Sequence, residues 1–240
     1  MENNYWVKNE WLIFNPYFNE ELTNYDVVIN KYNKIIFSNY YNILMVIETN
    51  NEYKTEYHDN YVHNIFNKKM DLSNNINLTH LTFGNWFNQK IDLSNNTNLT
   101  HLTFGDKFNQ KIDLSNNINL THLTFGYYFN QKIIIPSNVK SLNMYCCENQ
   151  YIIDNLHNNI EEFEIYRTNL NLDNLPNSIK KIYIKFYKKK LNNLPNSIEY
   201  LELIYYNLKI KKIPKNLKTI KCNKNYKYID DFKDYEVITY

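Results

Sequence analysis

Alanine is absent from this chain of 240 residues, and glycine (3), cysteine (3) and proline (5) are scarce. Three cysteines cannot build a disulfide framework in a chain of this length, which points to a reducing compartment. No segment approaches the roughly 18 consecutive apolar residues of a membrane span. The opening MENNYWVKNEWLIFN has no uninterrupted apolar stretch and no small-residue cleavage site, so no signal peptide is expected. Basic and acidic residues nearly cancel, 27 against 25, leaving no overall field to attract nucleic acid or membrane. Gly-rich phosphate loops, G-x-S-x-G and H-E-x-x-H are all missing, so neither an enzyme nor a cofactor is expected. A soluble intracellular protein is the expectation.

Asparagine, by contrast, makes up roughly one residue in five, far above average usage. Asn, Ile, Lys and Tyr dominate together and share AT-rich codons, so nucleotide bias accounts for the composition. An Asn-rich tract can also be disordered and prion-like. Here the asparagines are interleaved with regularly placed Leu, Ile and Phe, the pattern of folded turns.

That regularity is a repeat. Lys69 to Gln89 reads KMDLSNNINLTHLTFGNWFNQ, and nearly identical copies run from Lys90 to Gln110 and Lys111 to Gln131, a period of 21 residues. Gly84, Gly105 and Gly126 occupy one repeat position, as expected where the backbone needs positive φ or meets a close neighbour. The core is an apolar triplet at i, i+3, i+5: Leu78/Leu81/Phe83, Leu99/Leu102/Phe104 and Leu120/Leu123/Phe125. It continues as Val139/Leu142/Met144, Ile160/Phe163/Ile165, Ile179/Ile182/Ile184, Ile198/Leu201/Leu203 and Leu217/Ile220/Cys222. Successive triplets are 21, 21, 19, 21, 19, 19 and 19 residues apart, and Pro136, Pro176, Pro195 and Pro214 each precede one by three. A decayed copy stands ahead of them at Phe66-Asn67-Lys68-Lys69.

The step from i+3 to i+5 alternates along a strand, turning Leu81 and Phe83 inward and His80 and Thr82 outward. A coil of this length holds one short strand and an irregular return, and is too short for a crossover helix. Burying about five apolar side chains at ~1.5–3 kcal/mol each does not offset ordering some 20 residues at about 1–2 kcal/mol apiece. Coils must therefore stack, sharing ladder hydrogen bonds and a core. The expected fold is a repeat solenoid of about eight coils with one short parallel strand per 19–21 residues, on the order of 40 Å long. Pro before each strand sacrifices no ladder N–H, Asp-Leu-Ser-Asn-Asn supplies turn chemistry, and Asn88, Asn109 and Asn130 are expected to cap backbone groups at the coil corner.

LTHLTFGxxFNQKI, at Leu78–Ile91, Leu99–Ile112 and Leu120–Ile133, together with the LPNSI segments, resembles the FNIP repeat (IP22 type). This is a leucine-rich-repeat relative found in amoebae and large DNA viruses. The resemblance spans about residues 57–225 and implies a leucine-rich-repeat-like solenoid acting as a protein-binding surface. Many members, particularly viral ones, place an F-box before the repeats, which would recruit Skp1 of a cullin ubiquitin ligase. Residues 1–56 differ from the repeats, crowding Trp6, Trp11, Phe14, Tyr17 and Phe18 together. Leu22, Val27, Val28, Ile35, Ile36 and Phe37 could lie on two short helices, and Tyr32 to Asn39 is similar to the closing stretch of F-box domains. The segment reads as a small helical, aromatic cap or a degenerate F-box, and 226–240 as the opposite cap.

The candidate partner-binding face is the outward strand row. It comprises His80, Thr82, His101, Thr103, His122, Thr124, Ser141, Asn143, Tyr145, Glu162, Glu164, Tyr166, Lys181, Tyr183, Lys185, Tyr200 and Glu202. The three histidines would align about 5 Å apart, but no carboxylate shares their positions within a coil, so no metal is expected. The Glu and Lys members are expected to pair across strands for a few tenths of a kcal/mol. Adjacent Cys146 and Cys147 lack zinc spacing, and Cys222 takes a core position. From Val139 onward 17 basic and 12 acidic residues give a mild excess that fits a solvated surface, so nucleic acid is not expected. Asn77, Asn98 and Asn119 begin N-L-T sequons, which would matter in a secreted, glycosylated adhesin. The expected function is a noncovalent protein-interaction scaffold, with a ubiquitin-ligase substrate adaptor and a secreted adhesin as alternatives.

Overall fold

The structure, a computed structural model, describes residues 4–37 and 65–240. Residues 38–56 of the N-terminal segment, 57–64 of the repeat region, and the last two residues of the Tyr32–Asn39 stretch lie outside the described residues. The chain divides into two compact units, Met1–Leu120 with Thr124–Phe129, and Thr121–Leu123 with Asn130–Tyr240. Each is a parallel-strand, leucine-rich-repeat-like solenoid.

The first unit opens with a hairpin of β1 (Tyr5–Lys8) and β2 (Trp11–Phe14), paired antiparallel. Its two turn residues, Asn9 and Glu10, both have positive φ (46° and 69°), as a turn matched to strand twist requires. A 3₁₀ turn (Leu22–Tyr25) and the one-turn helix α1 (Asp26–Ile29) lead to β3 (Lys34–Phe37). Strands β2, β3, β4 (His80–Thr82) and β5 (His101–Thr103) then pair parallel in sequence. The helical reading thus holds for Leu22 and Val27-Val28, whereas Ile35-Ile36-Phe37 is strand. The reason is packing: Ile35 aligns with Leu12 and Leu81, and all three residues of the run are buried, as continuous apolar strands are when both faces are covered.

Strand β6 (His122–Phe125) has residues in both units. The second unit continues with β7 (Ser141–Tyr145), the short helix α2 (Gln150–Asp154), β8 (Glu162–Tyr166), β9 (Lys181–Lys185) and β10 (Tyr200–Ile204). It closes with β11 (Thr219–Cys222) and, within 226–240, a 3₁₀ turn (Ile229–Phe232) and β12 (Glu236–Thr239). Strands β7 to β12 pair parallel in chain order without a register slip.

Every member of the eight apolar triplets is buried, the most exposed being Leu217 at 6%. In the first unit the second phenylalanine of each copy joins them. Phe83/Phe87, Phe104/Phe108 and Phe125/Phe129 stack at 4.1, 3.8 and 3.9 Å, and each ring also meets its equivalent in a neighbouring coil at 5.3–6.1 Å. Such pairs add about 0.5–1.5 kcal/mol each beyond area burial. The glycine position is settled by close approach. No glycine has positive φ, and a Cβ on Gly105 would strike the Gly84 carbonyl and lie 2.7 Å from Asn85 Cα. On Gly126 it would strike the Gly105 carbonyl in the same way.

Candidate functional site

Strand alternation and exact register turn the outward positions into rows. In the first unit His80 stands beside His101 and Thr82 beside Thr103. The two imidazoles stack at 4.2 Å with 10° between planes, and Trp11 packs its edge on His80 at 5.4 Å. The hydroxyl of Thr79 donates to Asn33 O and that of Thr100 to Thr79 O, both at 3.0 Å. Each Oγ1 also lies 2.9 Å from Nδ1 of the following histidine. Thr124 belongs to the same unit. The outward row is not open throughout: Trp11, Ile13 and Ile36 occupy outward positions and are nonetheless buried as a cluster.

In the second unit the rows are Ser141, Glu162, Lys181, Tyr200, Thr219 and Asn143, Glu164, Tyr183, Glu202, Lys221, with Tyr145, Tyr166 and Lys185 forming a third. One expected cross-strand pair forms among the named Glu and Lys residues, and Glu202 takes a partner outside them. Glu164 meets Lys185 at 2.6 Å, and Glu202 meets Lys221 at 3.4 Å while accepting from the Tyr200 hydroxyl at 2.9 Å. Glu202 departs from the sequence reading: it is buried, closed over by these partners rather than displayed. Burial raises the Tyr200 hydroxyl, helped by its bond to Glu202, and burial with the Glu162 charge raises Tyr183. Burial lowers His122, against the pull of Glu162. A second charge row, one residue ahead of the strands, was not anticipated. There Glu161 bridges Lys140 (3.6 Å) and Lys180 (2.8 Å), and Glu199 meets Lys218 (2.5 Å).

The sequence reading also missed a buried asparagine ladder. Asn75, Asn96 and Asn117 lie three residues before their triplets and are buried. Asn96 Nδ2 donates to Leu72 O (3.0 Å) and Asn75 O (2.8 Å), and Asn117 Nδ2 repeats this one coil on with Leu93 O and Asn96 O. The signal was available, since this is the phase that proline holds in later coils. The expected corner role is visible for Asn67 and Asn88, whose Oδ1 atoms accept from the N–H of Asn88 and Asn109 at 2.9 Å.

A shallow groove of about 540 Å³ runs along the first unit, lined by Asn33, Asn77, Thr79, Asn98, Thr100 and Asn119. The sequon amides are engaged: Asn98 Nδ2 donates to Ile76 O and Asn119 Nδ2 to Thr97 O. Among the described residues no group of three or more His, Cys, Asp or Glu could hold a metal ion. Nor is any described helix long and apolar enough to cross a membrane.

Comparison with known proteins agrees with this geometry. The profile of the FNIP Repeat family matches residues 117–147, which include two strands, their outward rows and the turn between them. Residues 117–147 thus carry an FNIP repeat. The chain is also similar to a solved structure described as CroV588, a novel circular LRR protein. The TM-score is 0.56 and the identity 26%, over 93% of this chain and 38% of that one. The chain therefore spans 38% of the length of that relative. No curated protein matches it.

Proposed function

We propose that the chain is a noncovalent protein-interaction scaffold that holds its partner on the outward strand rows. One observation carries the reading: side chains such as Lys181, Tyr183 and Lys185 stand in register on strands whose opposite face is a fully buried spine. A surface fixed in this way pays little conformational entropy on binding. An intracellular setting suits Cys146, Cys147 and Cys222, which form no disulfide among the described residues. A ligase adaptor would need residues 1–56 to work as an F-box for Skp1, but their described part contributes β1, β2 and β3 to the sheet. No observation favours that reading or the adhesin.

A photo-crosslinking residue at Thr103 or Lys181, in cells producing the full chain, tests this. Discrete protein adducts from these positions, and none from exposed Lys111 on a return segment, are expected. No adduct from either row position would overturn the reading.

A further inference from the structure

The three near-identical copies differ at four of their positions: Met70/Ile91/Ile112, Ile76/Thr97/Ile118, and the pair Asn85-Trp86, Asp106-Lys107, Tyr127-Tyr128. That pair is the coil corner just past each strand. Where nearly everything else is repeated, the corner varies, and its side chains are largely aromatic or charged. Lys107 Nζ lies 5.6 Å from the Trp86 ring centre and 4.2 Å from that of Tyr128.

In the second unit the corner is strained as well. Cys146, Arg167, Phe186 and Tyr205 follow β7 to β10 with φ of 51°, 46°, 54° and 54°. A residue with a Cβ loses roughly 1–2 kcal/mol in this region, which Gly and then Asn enter most easily. Asparagine is abundant throughout the chain, yet three successive corners hold Arg, Phe and Tyr. Arg167 is the only arginine among 27 basic residues, and it is the cation best suited to lie on rings. Its guanidinium is 5.4 Å from the Tyr166 ring centre and 5.0 Å from that of Phe186. Phe186 in turn stacks on Tyr205 at 4.4 Å, and Tyr205 is 62% exposed.

Phe186 and Tyr205 stack on each other, Tyr166 meets Phe186 edge-on, and the guanidinium lies against Tyr166 and Phe186, so the cation is held within the aromatic strip. Lys188, Lys189 and Lys190 follow Phe186 directly after Tyr187; they are exposed and form no ion pair among the described residues. The guanidinium and the three unpaired ammonium groups suit carboxylates. A single-stranded nucleic acid stacks successive bases on successive rings, whereas Tyr205 is the one largely exposed ring of this strip, so the geometry favours an acidic peptide over a nucleic acid. The strip adjoins the outward rows at Tyr166, which lets one partner span both.

We propose that Arg167, Phe186, Tyr205 and Lys188–Lys190 form a docking strip for an extended acidic segment of the protein partner. The proposal rests on the scaffold reading and names the partner chemistry. The full chain is titrated by fluorescence anisotropy with a labelled peptide of Asp, Glu and Leu, and separately with oligo(dT). Saturable peptide binding that weakens steeply with salt is expected. Replacing Lys188, Lys189 and Lys190 by Glu should abolish it, and Tyr205→Gly should weaken it by about tenfold, or roughly 1.4 kcal/mol. Because glycine relieves the left-handed backbone, Tyr205→Gly should still fold, which circular dichroism checks. No peptide binding, unchanged affinity in both variants, or tighter binding of oligo(dT) than of peptide each overturns the strip. Adducts persisting at Thr103 or Lys181 would leave the scaffold standing when the strip fails; their absence sinks both.

Discussion

The copies at 69–131 and the coils from 136 to 225 solve one backbone problem with different residues. Each coil must turn three residues before its triplet and must satisfy a carbonyl of the coil before it. In the first region Asn96 does both, closing the turn to Leu99 N (3.1 Å) and donating its amide to the preceding coil. In the second, Pro195 closes the same turn to Ile198 N (3.3 Å), and the tie passes to a serine two residues on. Ser178 Oγ donates to Ile160 O at 2.6 Å and Ser197 Oγ to Ile179 O at 2.7 Å. His157 stands between the two styles, its Nε2–H bonding Pro136 O at 2.8 Å as an asparagine would. The lesson is that the fold fixes a hydrogen bond per coil, not the residue that makes it.

The inner corner differs in the same spirit. Phe87 and Phe108 fill it with rings alone. Tyr187 and Tyr226 add a hydroxyl that donates to Leu170 O (2.9 Å) and Leu208 O (2.7 Å) of the preceding coil. At the outer corner the first region packs glycine against carbonyl, and the second, one position further on, holds side chains at positive φ.

The sharpest way to break the comparison is at that outer corner. Gly105→Ala should destabilise by about 3 kcal/mol, because the obstacle is backbone that cannot step aside. Cys146→Gly should instead stabilise by about 0.5–1 kcal/mol through relief of φ 51°. Urea unfolding of both variants gives the sign, and equal signs would erase the distinction.

The tie between coils gives the next largest effect. Asn96→Leu strips donors from two buried carbonyls and should cost about 2–3 kcal/mol. Ser178→Ala removes one bond at a half-buried site and should cost about 1 kcal/mol. Equal losses would show that the two ties bear the same weight.

The smallest effect concerns acid. Backbone N–H of Ser94 holds the Asp92 carboxyl below its usual range, whereas the Lys180 ammonium does this for Glu161. In both cases the folded value is depressed, so the stabilisation is present above the unfolded value near 4 and lost as pH falls through the folded one. Asp92→Asn should therefore lower Tm at pH 7 but not at pH 2, in low or high salt. The same loss from Glu161→Gln should vanish in 1 M salt even at pH 7, since exposed ion pairs are screened.

How much of this was legible follows from what repetition can encode. Leu81, Phe83 and their equivalents could be read because spacing alone distinguishes an inward from an outward position. Three asparagines in each Ser-Asn-Asn-x-Asn run look alike on paper, and only the phase shared with Pro176 and Pro195 singles out the buried one. Ile35-Ile36-Phe37 was ambiguous because a short apolar run suits helix and strand equally; pairing with β2 and β4 decided it. Strand alternation separates the outward row from the spine, but neither the burial of Glu202 nor the left-handed backbone of Phe186 follows from residue type. Turn preferences would have put Gly or Asn there.

Nearly every side-chain tie in the array runs from one coil to the same or a neighbouring position of the coil before it, as from Asn117 to Asn96 and from Asn109 to Asn88. Inserting one whole copy leaves each donor facing the acceptor it already knew, so unequal crossing-over between the coding repeats can lengthen or shorten the protein without inventing any new contact. A crossover out of phase would unhook the glycine, asparagine and phenylalanine columns together, which confines the gene to growth in integral steps.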